Sequence, residues 1–392
     1  MNKKQLLISL VFLAALCLIV FNLLKKDGAS WNNSKYSAGG ENLFVNLDVN
    51  KIGRLTVSQG VEVSNIIRNE NGWTVSEKSN YPADFRKIAS LLGILAEAKS
   101  VQNVKAGKSQ FEKLGLDDSD KETGNAVLIE LSEEPGGKTN SILLGKMHLK
   151  KEVNPNPFFG SAPDGRYVML LDGKSQPKLI SQTFDDIGGS PVSWTDKSFV
   201  EIDRMKSIDV QKKVADESWK LVKNTENETF TLSDLKEGEE LDKGKITPLT
   251  NLLKNVSFLD VNPIPANFTG DKAVIETFDS FKYEITFAPQ GKDQYSVNIK
   301  TTASIPSQRE AVKDEKPEDK EKLDSGFKVK TDLMKEKLER ETAIGKWVYV
   351  LGKNYIDTLL KSKKDLLKEK KAEPPSAVPV PLPALTPAPA VK

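Results

Sequence analysis

Histidine and cysteine most often supply acid–base, nucleophilic and metal-binding chemistry, and this chain has one of each, His148 and Cys17. Cys17 lies in an apolar N-terminal stretch, so the rest of the chain can form neither a disulfide nor a thiolate zinc site. One imidazole cannot build a two-histidine metal site, and we interpret His148 as a polar surface residue beside a VNPNP loop. We therefore predict no catalytic residue, no metal ligand and no bound cofactor.

Paired carboxylates are the enzyme chemistry that these absences leave open, because a glycosidase needs only two acids at a suitable separation. Adjacent acids include Asp117–Asp118, Asp185–Asp186, Asp216–Glu217 and Glu239–Glu240. The 55 acidic residues form seven adjacent pairs, and random placement gives roughly eight, so the pairs do not indicate a paired-acid site.

The segment Pro135 to Asn140 reads PGGKTN, and its GKT triplet is also found in phosphate-binding loops. That motif requires a glycine five positions before Gly137, where Ser132 stands. The segment also joins two predicted strands instead of opening a helix. We predict a hairpin turn without phosphate chemistry.

Trp73 and Trp219 are the aromatic residues best suited to stack on a sugar ring or another flat ligand. Both stand in short alternating stretches typical of half-buried strands. Packing in the core is the favoured interpretation, and stacking on a glycan stays an alternative.

The charge of the chain is nearly balanced, with 57 basic and 55 acidic residues and a net charge of +2. A nucleic-acid-binding protein needs an excess of basic residues to displace the counterions around phosphates. The composition therefore argues against a nucleic acid as partner.

Residues 6–24 form an apolar run without any charged residue. A helix of this length is roughly 29 Å long at 1.5 Å per residue, which is enough to cross the hydrocarbon core of a bilayer. We predict an uncleaved transmembrane anchor after a cytoplasmic leader, residues 1–5. The free amine of the leader and Asp27 favour a cytoplasmic N-terminus, with the bulk of the chain outside.

Two other interpretations of this run are a lipoprotein signal and a cleaved signal peptide. A lipoprotein signal would use Cys17, but Leu16 is larger than the residue that such processing expects, and apolar residues continue beyond the cysteine. A cleaved signal has a shorter apolar region and a small-residue cleavage pattern, which KKDGAS does not supply.

The remainder of the chain has the patterns of an α+β protein with mostly antiparallel sheets. A polar tether, residues 25–44, precedes two predicted units, residues 45–200 and 201–371. In the first unit, alternating β-branched residues predict strands over 54–59, 61–69, 72–77, 126–131, 141–145 and 166–171. Pro82 and Asp84 begin a predicted helix with an apolar stripe from Phe85 to Ala98, and a second short helix is predicted over Lys178 to Ile187.

The second unit repeats this order of patterns, which predicts a duplicated α+β unit. KSIDVQ (206–211) is similar to RLTVSQ (54–59), and the residues around Trp219 are similar to those around Trp73. Leucines from Leu249 to Leu259 have the spacing of the first helix stripe, and the segment 346–351 is similar to 166–171.

Two segments differ in composition from the units. The insertion 307–340 is rich in lysine and glutamate and predicts a solvated helix or a mobile loop. Residues 372–392 contain seven prolines in 21 positions, which predicts an extended, disordered arm that serves as a spacer or as a ligand for a proline-recognising partner.

Several short motifs in this order resemble a bacterial family, the domain of unknown function numbered forty-three-forty. In that family a membrane segment is followed by a Gly-Trp strand, a Pro-Ala-Asp turn, a leucine-rich helix and further short motifs. The corresponding residues here are Gly72-Trp73, Tyr81-Pro82-Ala83-Asp84, Leu114-Gly115-Leu116-Asp117, Leu144-Gly145, Tyr167-Val168 and Asp196-Lys197-Ser198-Phe199. The resemblance is clear over residues 45–205 and weaker in the second half.

The resemblance implies an extracytoplasmic protein associated with ABC-transporter components similar to those of gliding-motility systems. No activity is established for that family, so the resemblance carries no catalytic residue over to this chain. We therefore expect a non-catalytic accessory or scaffold protein in the inner membrane, with an ABC transporter permease or a related membrane subunit as partner. A binding module for envelope glycan or a small ligand is one alternative, and a carboxylate-dependent hydrolase is another.

Overall fold

The computed structural model of the protein describes residues 40–45, 47–117, 126–133, 137–149, 162–310 and 316–369. The predicted transmembrane segment 6–24 and the proline-rich tail 372–392 lie outside the described residues. Among the helices of the described part, none is long and apolar enough to cross a membrane. The chain divides into two units, residues 1–198 and 199–392, and each unit contains one antiparallel sheet.

The sheet of the first unit has nine strands in the described residues, in the order β4-β3-β2-β1-β6-β7-β8-β9-β5. The α-helices described in this unit are α1 (Phe85–Glu97) and the single turn α2 (Phe111–Leu114). The strands are β1 (Ile52–Gln59), β2 (Glu62–Asn69), β3 (Gly72–Val75), β4 (Tyr81–Pro82), β5 (Ser100–Asn103), β6 (Val127–Glu133), β7 (Thr139–Leu149), β8 (Pro163–Leu170) and β9 (Lys178–Ile180).

The strands of the first unit form where the sequence alternates apolar and polar residues. In β1, Leu55 and Val57 are fully buried, whereas the neighbouring Arg54 is exposed. The six strands predicted in this half are confirmed. Strands β6 and β7 pair on either side of the segment around GKT, with Ser132 opposite Thr139, and residues 134–136 lie outside the described residues.

Helix α1 begins where the sequence predicts, because Asp84 caps it. The Asp84 Oδ1 atom accepts hydrogen bonds from the backbone N–H groups of Arg86 and Lys87, at 3.0 and 3.1 Å. The predicted apolar stripe packs on the sheet, except for its first residue. Phe85, the first residue of the helix, is 64% exposed.

The predicted helix over Lys178–Ile187 is wrong. Residues Lys178–Ile180 form β9, which pairs with β5 and β8, and the segment after it runs through turns. The apolar residues Leu179 and Ile180 are compatible with a helix or a strand, and pairing with β5 and β8 favours the strand.

The sheet of the second unit has eight strands in the described residues, in the order β12-β11-β10-β14-β15-β16-β17-β13. The α-helices in the described part of this unit are α3 (Lys243–Ile246), α4 (Pro317–Ile344) and α5 (Asp357–Leu360). The strands are β10 (Met205–Gln211), β11 (Trp219–Val222), β12 (Thr231–Leu232), β13 (Asp260–Pro263), β14 (Asp271–Thr277), β15 (Phe281–Gly291), β16 (Gln294–Ala303) and β17 (Trp347–Gly352).

The two sheets have corresponding strand orders. If β10 is matched to β1 and the short edge strand β4 is set aside, every later strand of the second sheet has a counterpart at the same place in the first. Two of the sequence similarities do not follow this match. Trp219 lies in β11, at the place of β2, whereas Trp73 lies in β3, and residues 347–352 form β17, at the place of β9 and not of β8.

The leucines of the second unit do not form a full counterpart of α1. Helix α3 ends at Ile246 and a 3-10 turn continues to Asn251. Leu253 and Asn255 then have φ angles of +54° and +49°, which interrupt a helix.

Most of the charged insertion is helix α4, the first of its two predicted forms. From Glu318 to Lys330 its residues are exposed, apart from Phe327, which is partly buried. Its C-terminal half packs on the unit through Thr331, Glu341 and Ile344.

Candidate binding groove

An open groove in the first unit lies between α1, the turn that joins β2 to β3, and the 3-10 turn before β1. Its volume is about 640 Å³, which is in the range of small-molecule and peptide sites. Ile88 and Leu92 of α1 contribute apolar surface, and Trp73, Pro82 and Phe85 add further apolar wall. We refer to this cavity as the Trp73 groove.

The rim of the Trp73 groove is polar and carries both signs of charge. It includes Asn50, Arg68, Asn69, Glu70 and Asn71. Arg68 Nη1 donates a hydrogen bond to the backbone carbonyl oxygen of Asn50, at 3.0 Å, so the arginine joins the two sides of this rim. A mostly apolar cavity with amides and one guanidinium at its edge can orient a ligand through hydrogen bonds.

Trp73 has one side in the core and another in the groove. It packs against the buried residues of the first unit and also lines the cavity. Within the described residues its indole nitrogen has no hydrogen-bond partner, so this donor is available to a ligand. Core packing and ligand contact were alternatives in the sequence, and the structure places the residue where it can do both.

Backbone pairing fixes the position of Trp73 relative to α1. The N–H of Ala83 donates to the carbonyl oxygen of Trp73 at 2.8 Å, and the N–H of Asp84 donates to the carbonyl oxygen of Trp194 at 2.8 Å. Ala83 also forms a bridge with Thr195. The Gly-Trp and Pro-Ala-Asp motifs therefore meet the segment just before Asp196-Lys197-Ser198-Phe199 in space.

Two other motif segments meet away from the Trp73 groove. Gly115 has a φ of +64°, and a Cβ there would lie 2.9 Å from the backbone nitrogen of Lys146. A Cβ on Gly145 would lie 2.4 Å from the carbonyl oxygen of Leu114. Both positions therefore require glycine. The buried Arg166 stabilises the same contact, because its Nε donates a hydrogen bond to the Gly145 carbonyl oxygen at 2.8 Å.

A second cavity, of about 690 Å³, lies against a different face of α1. Lys87 in its wall donates from Nζ to the carbonyl oxygen of Asp186, at 2.7 Å, and lies 4.6 Å from the centre of the Trp194 ring. Burial lowers the pKa of Lys87, and the nearby Asp186 and Asp84 oppose this shift. With these contacts Lys87 fastens α1 to the segment after β9.

The adjacent acids of the sequence do not converge on one site. Asp185 and Asp186 are exposed and line the second cavity, and the Asp185 carboxylate accepts from the Thr183 hydroxyl at 3.0 Å. The pairs 216–217 and 239–240 lie in exposed or partly exposed turns, and Asp118 lies outside the described residues. In the part of the chain that is described, no cluster of three or more histidine, cysteine or acidic residues is arranged to hold a metal ion.

His148 is a partly exposed residue with its side chain 35% exposed. Its Nδ1 lies 2.6 Å from Asp164 Oδ1, and its ring meets Tyr167 edge-on with centroids 5.8 Å apart. This contact between His148 and Asp164 joins the ends of β7 and β8. The two residues are 16 positions apart in the sequence, so no local pattern predicts their contact.

A buried carboxylate in the second unit has no counterpart in the sequence-based prediction. Glu341 of α4 is fully buried, and its Oε1 accepts from the N–H of Glu201 at 3.0 Å. The other oxygen has no hydrogen-bond partner among the described residues. Burial raises the pKa of Glu341, while the Glu201 N–H and Lys337 oppose the shift. Lys337 also donates to the Glu201 carbonyl oxygen at 2.7 Å, so Lys337 and Glu341 together attach α4 to the start of the unit.

Trp219 is a core residue. It is 3% exposed, and its indole nitrogen donates to the carbonyl oxygen of Lys361 at 2.9 Å. The two tryptophans that look alike in the sequence therefore differ, because Trp73 borders the groove and Trp219 is buried in the core.

The fold and the groove define a mixed α+β protein with two antiparallel sheets and a candidate binding cavity in its first unit. The sequence model of a domain of unknown function, DUF4340, matches residues 73–274, which is 202 of 392 residues. The chain belongs to this family, as the motifs around Trp73 and Asp84 predict. No curated protein and no solved structure is significantly similar to the chain.

Proposed function

We propose that the chain is a membrane-anchored, non-catalytic accessory or scaffold protein of an ABC-type transport or surface-assembly system. In this proposal residues 6–24 span the inner membrane and the two α+β units lie outside the cytoplasm. The proposed partner is a transporter permease or a related membrane subunit, which the Trp73 groove would engage.

The observation that carries the proposal is the composition of the Trp73 groove. Phe85 is 64% exposed, and the partly buried Trp73 lines the cavity. Exposed aromatic residues at a concave surface are typical of the central residues of protein interfaces. The polar rim supplies hydrogen-bonding groups for orientation, whereas the described acidic residues do not converge there.

The proposal includes duplication of one α+β unit. The corresponding strand orders of the two sheets support it, even though two of the four sequence similarities fall one strand away. In this proposal the second unit serves as a spacer or as an additional contact surface.

Binding of an envelope glycan or small ligand is the second candidate function. Trp73 favours it, because an open indole beside the side chains of Asn69 and Asn71 can combine stacking with hydrogen bonds to hydroxyl groups. A glycan array with the full chain tests it. Binding that is lost in Trp73→Ala would support this candidate, and no signal above background would remove it.

Recovery of the full chain from membranes in mild detergent tests the first candidate. We expect a transporter permease to be recovered with it, and recovery of the protein alone under gentle conditions would contradict the proposal. Protease treatment of spheroplasts tests the orientation, and we expect the bulk of the chain to be digested. Protection of residues 45–369 from the protease would contradict an extracytoplasmic location.

A further inference from the structure

We propose that the second cavity of the first unit binds an alkylammonium group, carried either by a lysine side chain of a partner peptide or by a free diamine. This cavity lies against a different face of α1 from the Trp73 groove. The inference adds a site and a ligand class to the proposed function, and it does not rest on the use of the Trp73 groove.

Part of the wall of the second cavity is apolar. Leu91 and Ile94 contribute to it from α1, and Phe184 and Ile187 contribute from the segment after β9. Contact with such surface is favourable for methylene groups, and lysine stems often lie along apolar surface while the charged end stays polar. A volume of about 690 Å³ is enough for an alkyl stem of several methylene groups.

The charged residues of the second cavity favour a cation. Three acidic residues line it, namely Glu97, Asp185 and Asp186. Against them stands Lys87, so three negative charges and one positive charge leave a formal charge of −2 on the described wall. This excess repels an anion and attracts a cation, which is the charge complementarity that selects a ligand.

Lys87 does not occupy these acids fully, because its ammonium group is used within the protein. Its Nζ donates to the carbonyl oxygens of Asp186 and Ser193, at 2.7 and 3.3 Å, and lies 4.6 Å from the centre of the Trp194 ring. The Lys87 side chain is 13% exposed, whereas the Asp186 side chain, whose Oδ2 lies 3.9 Å from Nζ, is 76% exposed. The Asp186 carboxylate therefore stays accessible to a second cation.

The second cavity also supplies acceptors for the three N–H donors of an ammonium group. The Asp185 carboxylate accepts from the Thr183 hydroxyl at 3.0 Å and has lone pairs for further donors. Gln182 lines the cavity, and its buried Oε1 atom has no hydrogen-bond partner among the described residues. A buried acceptor without a donor is unfavourable, and an N–H group that reaches it would remove this cost.

The protein fixes the wall that the segment after β9 forms. The buried Arg166 donates from Nη1 to the carbonyl oxygens of Thr183 and Phe184, at 3.0 and 2.9 Å. These bonds hold the segment where Phe184 has a φ of +56°, which is uncommon for a bulky residue. A wall that is already ordered loses little entropy when a ligand binds.

Saturation-transfer difference NMR of the full chain in detergent tests the ligand class. Cadaverine, 1,5-pentanediol and glutarate have the same number of carbon atoms and differ in charge. An acetylated and amidated tripeptide with lysine between two alanines is compared with the same peptide carrying norleucine. We expect saturable binding of cadaverine or the lysine peptide, and none of the other three probes. Binding of cadaverine alone assigns a free diamine, and binding of the peptide assigns a lysine side chain.

Variants at exposed positions locate the site. Ser90 lines the second cavity, so Ser90→Phe should fill it and Ser90→Ala should leave it open. Glu97→Gln with Asp186→Asn removes two of the charges, and Glu70→Gln is the matched control, because Glu70 lines the Trp73 groove. We expect Ser90→Phe and the double variant each to weaken binding by at least about tenfold, and both controls to preserve it. Circular dichroism verifies that each variant is folded.

Failure of both cadaverine and the lysine peptide to bind would overturn the inference, as would equal binding of 1,5-pentanediol. Unchanged binding by Ser90→Phe, or a loss that follows Glu70→Gln and not the double variant, would also contradict it, because the amine would then bind elsewhere. A chain that recovers a permease but binds no amine disproves this inference alone, and a chain that binds the amine but recovers no permease disproves only the proposed partner.

Discussion

Gly93 lies in the middle of α1 and borders the Trp73 groove, and a Cβ built there would meet no atom within 4 Å. Glycine inside a helix is less favourable than alanine by roughly 0.5–1 kcal/mol. We expect Gly93→Ala to raise the free energy of unfolding by up to about 1 kcal/mol. Leucine is also a good helix former, so Gly93→Leu should fold normally while its side chain fills the groove. Urea denaturation of both variants measures this, and a loss of more than about 1 kcal/mol in either would contradict the open space at this position.

Glu341 predicts a pH dependence with a defined sign. Its pKa is raised by burial above the ordinary 4.5, so the folded state binds this proton more tightly than the unfolded chain does. The contribution of the group to stability is therefore fully present below pH 4.5 and is lost as the pH rises through the raised pKa. Glu341→Gln keeps an acceptor for the Glu201 N–H and cannot ionise.

Comparison of wild type with Glu341→Gln isolates this effect from other titrating groups. We expect the stability of wild type relative to the variant to decrease as the pH is raised from 4.5 to 8, in urea denaturation at each pH. A constant difference across this range would show that burial of Glu341 does not raise its pKa.

The sequence predicts which residues share a face better than it predicts what covers that face. Phe85 and Ile88 belong to one apolar stripe, yet Ile88 is buried and Phe85 is 64% exposed, because coverage depends on strands distant in sequence. Glu341 gives the opposite case. Nothing in its charged surroundings in the chain distinguishes it from the solvated acids of α4, and only the folded unit buries it.

At the scale of elements, the cap of α1 is a local feature whose energetic value can be measured. Asp84 accepts two backbone hydrogen bonds at the start of the helix that lines the Trp73 groove and the second cavity. We expect Asp84→Ala to lower the free energy of unfolding by about 1 kcal/mol, within a range of roughly 0.5–2 kcal/mol. Asp84→Asn is the matched control, because asparagine also caps helices. Equal stability of the alanine variant and wild type would show that the cap contributes nothing.

Elements with local signals were predictable, and those decided by pairing were not. The Asp84 cap and the alternation of β1 depend on residues that are close together in the sequence, and both predictions are confirmed. Lys178–Ile180 lacks such a signal, because three residues fit a helix or a strand equally well and the contacts with β5 and β8 select the strand. The same limit explains why Trp219 was matched to Trp73 although their strands hold different places in the two sheets.

At the scale of the whole molecule, the two sheets predict two folding units. Every strand of each sheet pairs with strands of its own unit in the described residues. We expect residues 40–198 and residues 199–369, produced separately, each to show a cooperative unfolding transition by circular dichroism. If either piece lacks this transition while the full chain shows it, the division into independently folding units is wrong.

The most direct test of the account is affinity purification of the full chain from native membranes in mild detergent, with quantitative mass spectrometry of what is recovered. The comparison uses wild type, Gly93→Ala and Gly93→Leu, which differ only at the groove. We predict that a transporter permease is recovered with wild type and Gly93→Ala, and at least about tenfold less with Gly93→Leu. Recovery of the protein alone in all three cases, or equal recovery of the permease with Gly93→Leu, would contradict a membrane-anchored accessory protein that engages its partner through the Trp73 groove.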